Sequence, residues 1–318
     1  MFSESVKGMF RIIPLLLLLV AAPQVSAQEV PDESHAEAAP AAGEHGEEEE
    51  HQVDFIHHVS DAREWATPLG TVHLPAEGSW MLGPLDITPT KYVLFLWFAA
   101  ILVLAVFIPA AQGAKRRHTG DQPRGGHNAI EALVLFFRNQ VVMPNVGHDG
   151  AKFVPFVLTL FFFILTANLL GLLPWGASPT ASISVTGGLA LLSFCVIEIA
   201  GMRALGVKGY LGTIFFVPPG MNRIGGGALA IFMAPIELLG KFTKPFALAI
   251  RLMANMIAGH VVLLALLSLI FVFGSFFVAA LPVLMAMAIT FLEIFVAFLQ
   301  AYIFALLTSV FIGLITAH

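Results

Sequence analysis

Charge is scarce in this sequence. Of 318 residues, 12% are Asp, Glu, Lys or Arg and 58% are hydrophobic, whereas a soluble domain is about a quarter charged. Cysteine is scarcer still. Cys195 stands alone in an apolar run, so no intrachain disulfide can form, and the thiol reads as a small hydrophobe. The apolar part also lacks a phosphate loop, a nucleophile arrangement, a metal-ligand cluster and a nucleic-acid footprint. Covalent chemistry, metal chemistry and nucleic-acid binding therefore find no support. With a mean hydropathy of +0.85, these absences put the chain in the membrane class. The net charge of -5 is a local property, because acidic residues crowd between Glu29 and Glu64.

Residues 1–27 have the form of a secretory signal. Lys7 and Arg11 supply the positive start, Ile12 to Ala22 a short apolar region, and Val25-Ser26-Ala27 a small-residue cleavage site. The apolar region is short for a ~30 Å hydrocarbon core. Cleavage after Ala27 is expected, with an uncleaved anchor helix as the alternative. Residues 28–80 follow with an acidic, His-containing run, Gly43-Glu44-His45-Gly46-Glu47-Glu48-Glu49-Glu50-His51. Such a block repels itself and buries no core, so a disordered extracytoplasmic tail is expected. Its histidines keep no fixed ligand spacing, which leaves little basis for a metal site.

The membrane domain, 81–318, is expected to be all-α and polytopic. Apolar runs mark five spans, at about 91–111, 153–174, 181–200, 226–273 and 277–316. Lys115, Arg116, Arg117 and Arg124 follow the first span, and basic flanks stay in the cytoplasm. The first span then runs inward, in agreement with an exported amino terminus, and five spans leave the carboxyl terminus cytoplasmic. Trp175 suits the outer interface, and Arg203, Lys208 and Arg223 mark a Gly-containing cytoplasmic loop. Between the first two spans, Asn128 to Val142 is amphipathic. It suits the membrane interface or packing against other helices. Pro245 to Phe273 alone reaches about 40 Å as a helix, against a ~30 Å core. The last two helices are therefore predicted to be long and steeply tilted, with Gly274-Ser275 as their turn.

From Pro245 onward the only fully charged side chains are Arg251 and Glu293. A central charge costs about 2.5–3.5 kcal/mol on insertion scales, and arginine does not shed its proton. Arg251 must therefore meet water, a carboxylate or a partner, or else snorkel to an interface. Asn255 shares its face, and His260 lies on nearly the opposite one. Glu293 and Gln300 share a face of the last helix. Across a hairpin His260 and Glu293 could meet, either as a proton relay or as a static hydrogen bond. Glu237, Lys241 and Lys244 also share a face, as an exposed ion pair or as the mouth of a water-filled cavity. Asn168 is a lone polar group in the second span, of the kind that serves as interhelical glue.

The run Lys244-Pro245-Phe246-Ala247-Leu248-Ala249-Ile250-Arg251-Leu252-Met253-Ala254-Asn255-Met256-Ile257-Ala258-Gly259-His260 strongly resembles subunit a of F-type ATP synthases. Leu299-Gln300-Ala301-Tyr302-Ile303-Phe304 and Asn168-Leu169-Leu170-Gly171-Leu172-Leu173-Pro174 are similar to two further signatures of that family. The resemblance covers about 90–318 and implies a non-catalytic stator subunit with two proton half-channels beside a ring of c subunits. Arg251 matches the essential arginine, which draws a deprotonated ring carboxylate and blocks leakage. Glu237, Asn255, His260, Glu293, Gln300 and Asn168 match polar positions of the proton pathway. Some members exchange the residues found here as His260 and Glu293, and some carry an acid at Gly171. The implied partners are the c-ring, b-type peripheral stalk subunits, the rest of the F1Fo complex and membrane lipid, with no cofactor. The implied location is a bacterial plasma (inner) membrane. A secondary transporter with an intramembrane Arg/Glu site is the alternative; no internal repeat of the transporter kind is visible. A non-conducting scaffold is the third class.

Overall fold

A computed structural model describes residues 11–14, 64–67, 70–73, 81–82, 85–86, 90–116, 126–147, 150–173, 176–215, 223–273 and 276–316. The expected cleavage site, the acidic His-containing run, Trp175 and the Gly274-Ser275 turn lie outside these residues, as do the side chains of Lys115, Arg116, Arg117, Arg124 and Arg223. Of residues 1–27, a helical turn at 11–14 is described, and its Ile13 is buried in the main core.

Two short antiparallel hairpins precede the first span. They pair β1 (Glu64–Thr67) with β2 (Gly70–His73) and β3 (Met81–Leu82) with β4 (Leu85–Asp86). The first falls within 28–80, where composition alone led to an expectation of disorder. Everything described from residue 91 onward is helix or short connection. The helices are α1 (Lys91–Arg116), α2 (Gly126–Phe136), α3 (Met143–Val146), α4 (Val154–Gly171), α5 (Ile183–Ile214), α6 (Arg223–Phe273) and α7 (Phe276–Thr316). Among the described residues five segments are long and apolar enough to cross a membrane: Lys91–Gly113, Val154–Gly171, Ile183–Ile214, Gly225–Leu269 and Ala280–Thr316.

The chain is thus an all-α polytopic membrane protein. With 51 and 41 residues, α6 and α7 are far longer than the ~20 residues a perpendicular span needs. Both must cross at a steep tilt or run on beyond the apolar layer. Pro235 and Pro245 lie inside α6 and Pro282 inside α7. Each removes one helical hydrogen bond without ending its helix.

α7 is the hub, packing on α3, α4, α5 and α6. Aromatic rings pack within and beside a largely aliphatic core. Phe137 lies 4.2 Å from Phe161, Phe161 lies 5.5 Å from Phe298, and Phe107 lies 4.5 Å from Phe162. Offset and edge contacts of this kind add to the gain from burial.

The amphipathic stretch buries one face in the bundle and leaves the other exposed. A π-helix, Phe137–Val142, joins α2 to α3. Its wide turn aims Phe137, Val141 and Val142 into the core and leaves Asn139 and Gln140 exposed. Pro144, at the start of α3, has no N–H to return to the preceding turn. The Asn145 side chain donates to the Val141 carbonyl at 2.6 Å.

The third span departs from expectation. Arg203 and Lys208 were assigned to a loop because glycines recur around them, yet the helix runs on to Ile214. Gly206 alone leaves helical geometry, with φ at 69°. A residue without Cβ tolerates that conformation, so α5 bends there and then resumes.

Candidate functional site

Arg251 lies near the middle of α6. It is exposed, and among the described residues its guanidinium makes no hydrogen bond or ion pair. Its neighbours on the uncovered face are Ala247, Ala254, Asn255 and Ala258, all exposed. The small side chains leave the guanidinium accessible to whatever covers this face. On the opposite side, Leu248, Leu252 and Met256 are buried and seat α6 on the bundle. The helical period therefore sorts the residues, apolar inward and Arg251 outward.

α7 fixes the height of Arg251. Gln300 is 5% exposed, and its Nε2 donates to the Arg251 carbonyl oxygen at 3.2 Å. Gln300 thus ties the two helices together at the arginine, through its backbone.

Two cavities open on α6, one to each side of Arg251 along the chain. The first, about 710 Å³, lies between α5, α6 and α7 and is lined by Glu198, Thr213, Glu237, Lys241, Lys244 and Phe311, among others. The second, about 500 Å³, is lined by Lys91 and Tyr92 of α1, by Ser178, by His260 of α6 and by Thr290 and Glu293 of α7, among others. Arg251 is seven residues past Lys244 and nine before His260. At ~1.5 Å per residue it stands roughly 10 Å and 14 Å from those two positions along the helix axis.

His260 and Glu293 line the same cavity but do not bond to each other. The His260 Nε2 is buried with no hydrogen-bond partner among the described residues. The Glu293 carboxylate instead presses on α6 at Gly259, filling the space a Cβ there would occupy. Glycine at 259 is what allows the acid to approach the helix next to His260.

Asn168 has a different setting. It is fully buried, with Nδ2 donating to the Ala297 carbonyl at 3.3 Å and Oδ1 accepting from Thr180 Oγ1 at 2.7 Å. Ser178 Oγ is 3.0 Å from Thr180 Oγ1 and, since the Thr180 hydrogen is already committed, is the donor of that pair. One amide therefore joins α4, α7 and the turn at Pro179–Ala181. Of the residues singled out from sequence, the fold brings Glu237 to one cavity and His260 and Glu293 to the other. Arg251, Asn255 and Gln300 lie at or beside the section of α6 between them, and Asn168 is set behind the second cavity.

Sequence reasoning gave no role in the site to Glu198, Tyr210, Thr213 or Lys91. Glu198 lies within the third apolar run. A carboxylate inside an apolar run was the available signal.

The most direct comparison is with known chains. The family model of the ATP synthase A chain matches residues 93–313. "ATP synthase subunit a 2" of Chlorobaculum tepidum is 45% identical over 294 residues, covering 91% of this chain and 79% of its own. "ATP synthase subunit a" of Chlorobium phaeobacteroides is 41% identical over 339 residues, covering 99% and 95%. A protein of that same name from Anaeromyxobacter dehalogenans is 44% identical over 304 residues, covering 89% and 77%. The matched region takes in Arg251, three of the five spans whole and nearly all of the other two, with most of the residues lining both cavities, and the chain belongs to the ATP synthase A chain family.

Proposed function

We propose that this subunit is the ion-conducting stator of a rotary ATP synthase, with Arg251 as the barrier between two proton half-channels. The coarser statement follows from the family: the chain is a subunit of the ATP synthase membrane sector and a multi-pass membrane protein. The observation that carries the finer one is the pair of cavities, each with a carboxylate, on either side of an uncovered arginine of one helix.

The cavity with Glu237, Lys241 and Lys244 is the cytoplasmic half-channel, since the basic flanks assign that end of α6 inward. The cavity with His260 and Glu293 opens to the outside. A buried imidazole nitrogen without a fixed bond is costly, and the cavity beside it is roomy and polar enough to admit a water. Protons then pass between Glu293 and His260 by way of water, not through a direct bond. The exposed α6–α7 face meets the c-ring. A deprotonated ring carboxylate arriving there is drawn to Arg251, takes a proton from one cavity and releases it to the other only after a turn through lipid. Each charge moved through 100 mV supplies about 2.3 kcal/mol, so several transfers drive one synthesis step elsewhere in the complex. The b-type stalk subunits hold this chain against rotation, and the site is a bacterial plasma membrane.

Family membership favours this reading over a secondary transporter. The test is Arg251→Ala in inverted vesicles. ATP-driven proton pumping should vanish and passive proton leakage rise, with the complex still assembled. Normal coupled pumping would refute the assignment.

A further inference from the structure

Lys241 belongs to α6 but is held by α5. Its ammonium lies 4.0 Å from the Glu198 carboxylate, donates to Thr213 Oγ1 at 3.3 Å and stands 4.3 Å from the centre of the Tyr210 ring. The Lys241 and Glu198 side chains are only 12% and 14% exposed. Both arms of α5 take part. Glu198 comes from the arm before the Gly206 bend, and Tyr210 and Thr213 from the arm after it. The positive φ of Gly206 is therefore what lets one helix grasp one ammonium from two sides.

Glu237 lies one turn before Lys241 on α6. Glu at i with Lys at i+4 is the favourable order for a helical ion pair. Among the described residues no such pair forms. Lys244 is engaged as well, its ammonium 5.2 Å from the Phe311 ring centre. Both lysines near Glu237 are thus turned toward neighbouring helices. Among the described residues Glu237 lines the cavity without a charge partner. Among the described residues, the other charged or titratable groups lining or flanking this cavity are Glu198 and Tyr210 from α5 and the two lysines of α6, and α7 presents Phe311, Leu314 and Ile315.

We propose that Glu198 is a positioning residue of the cytoplasmic half-channel, which captures Lys241 and so keeps Glu237 free to exchange protons. This rests on the half-channel assigned to that cavity. A carboxylate paired with an ammonium favours its charged form and is a poor carrier of a proton. Captured by Glu198, Lys241 cannot form that pair. Set free, it returns to Glu237 one turn away.

The experiment compares Glu237→Gln, Glu198→Gln, Lys241→Met and the double variant Glu198→Gln/Lys241→Met in vesicles carrying the assembled complex. Passive proton conduction is read after removal of the catalytic sector. Glu198→Gln should lower conduction about tenfold, the occupancy change that one unit of proton affinity brings. Lys241→Met should cost less, and the double variant should recover to the Lys241→Met level. A purely structural clasp predicts the reverse, a double variant as impaired as Glu198→Gln or worse, and that result would overturn the proposal. So would unchanged conduction in Glu198→Gln. Lys241→Gln replaces the Met variant if the latter does not assemble. Normal conduction by Glu237→Gln would instead remove the half-channel assignment beneath the proposal, so the two failures are distinguishable.

Discussion

The second span and the final hairpin are both apolar helices, yet they treat their polar groups in opposite ways. Most of α4 is buried, and both ends of its Asn168 amide are bonded inside the bundle. Most of α6 and α7 is not. Along their open face Arg251 and Asn255 have no side-chain partner among the described residues, while Phe291 and Phe295 are 69% and 62% exposed. A satisfied polar group in an apolar helix holds the fold together. An unsatisfied one on an uncovered face awaits something from outside it. Lipid covers phenylalanine at no cost, but it does not cover a guanidinium. The contrast thus separates structural from functional polarity more sharply than residue type does.

Substitutions can break that contrast in graded steps. The largest effect is expected at the hairpin, from Gly259→Val. A side chain there displaces the Glu293 carboxylate from α6, so pumping should be lost with the complex assembled; unchanged pumping would mean that the approach of Glu293 to the helix is immaterial. Asn168→Leu comes next and acts differently. It leaves Thr180 and the turn without their acceptor, at a cost of about 1–3 kcal/mol. The amount of assembled complex and its thermal midpoint should fall, while the pumping of what survives stays coupled. Uncoupled leakage in that variant would move Asn168 from brace to pathway. Gln300→Leu should be mildest. It removes one bond to the Arg251 carbonyl, worth about 0.5–1.5 kcal/mol, so pumping should slow without stopping.

Much of this architecture was legible from the sequence. Long uncharged runs dictate spans, and five of them match the five long apolar helices. The excess length of 226–273 and 277–316 announced helices longer than a perpendicular span. Arg251, Glu293 and His260 stood out because ionisable groups in apolar runs are rare. What stayed hidden depended on partners distant in sequence. The Asn168 network needs Thr180 and Ala297, and the placement of Glu293 needs Gly259, which no local pattern reports. Gly206 misled for a physical reason. Glycine marks both loops and bends, and only the backbone tells whether the helix resumes.

The most direct test of the account asks which face meets the rotor. Single cysteines replace Asn255 on α6 and Ile101 on the exposed face of α1, with Cys195, itself exposed, changed to alanine. Each is paired with a cysteine one turn from the ring carboxylate, and disulfide cross-linking is read in assembled membranes. Asn255→Cys should link to the ring and Ile101→Cys should not. Linkage from Ile101 alone would put the rotor on the wrong side of the molecule and contradict the role given to Arg251.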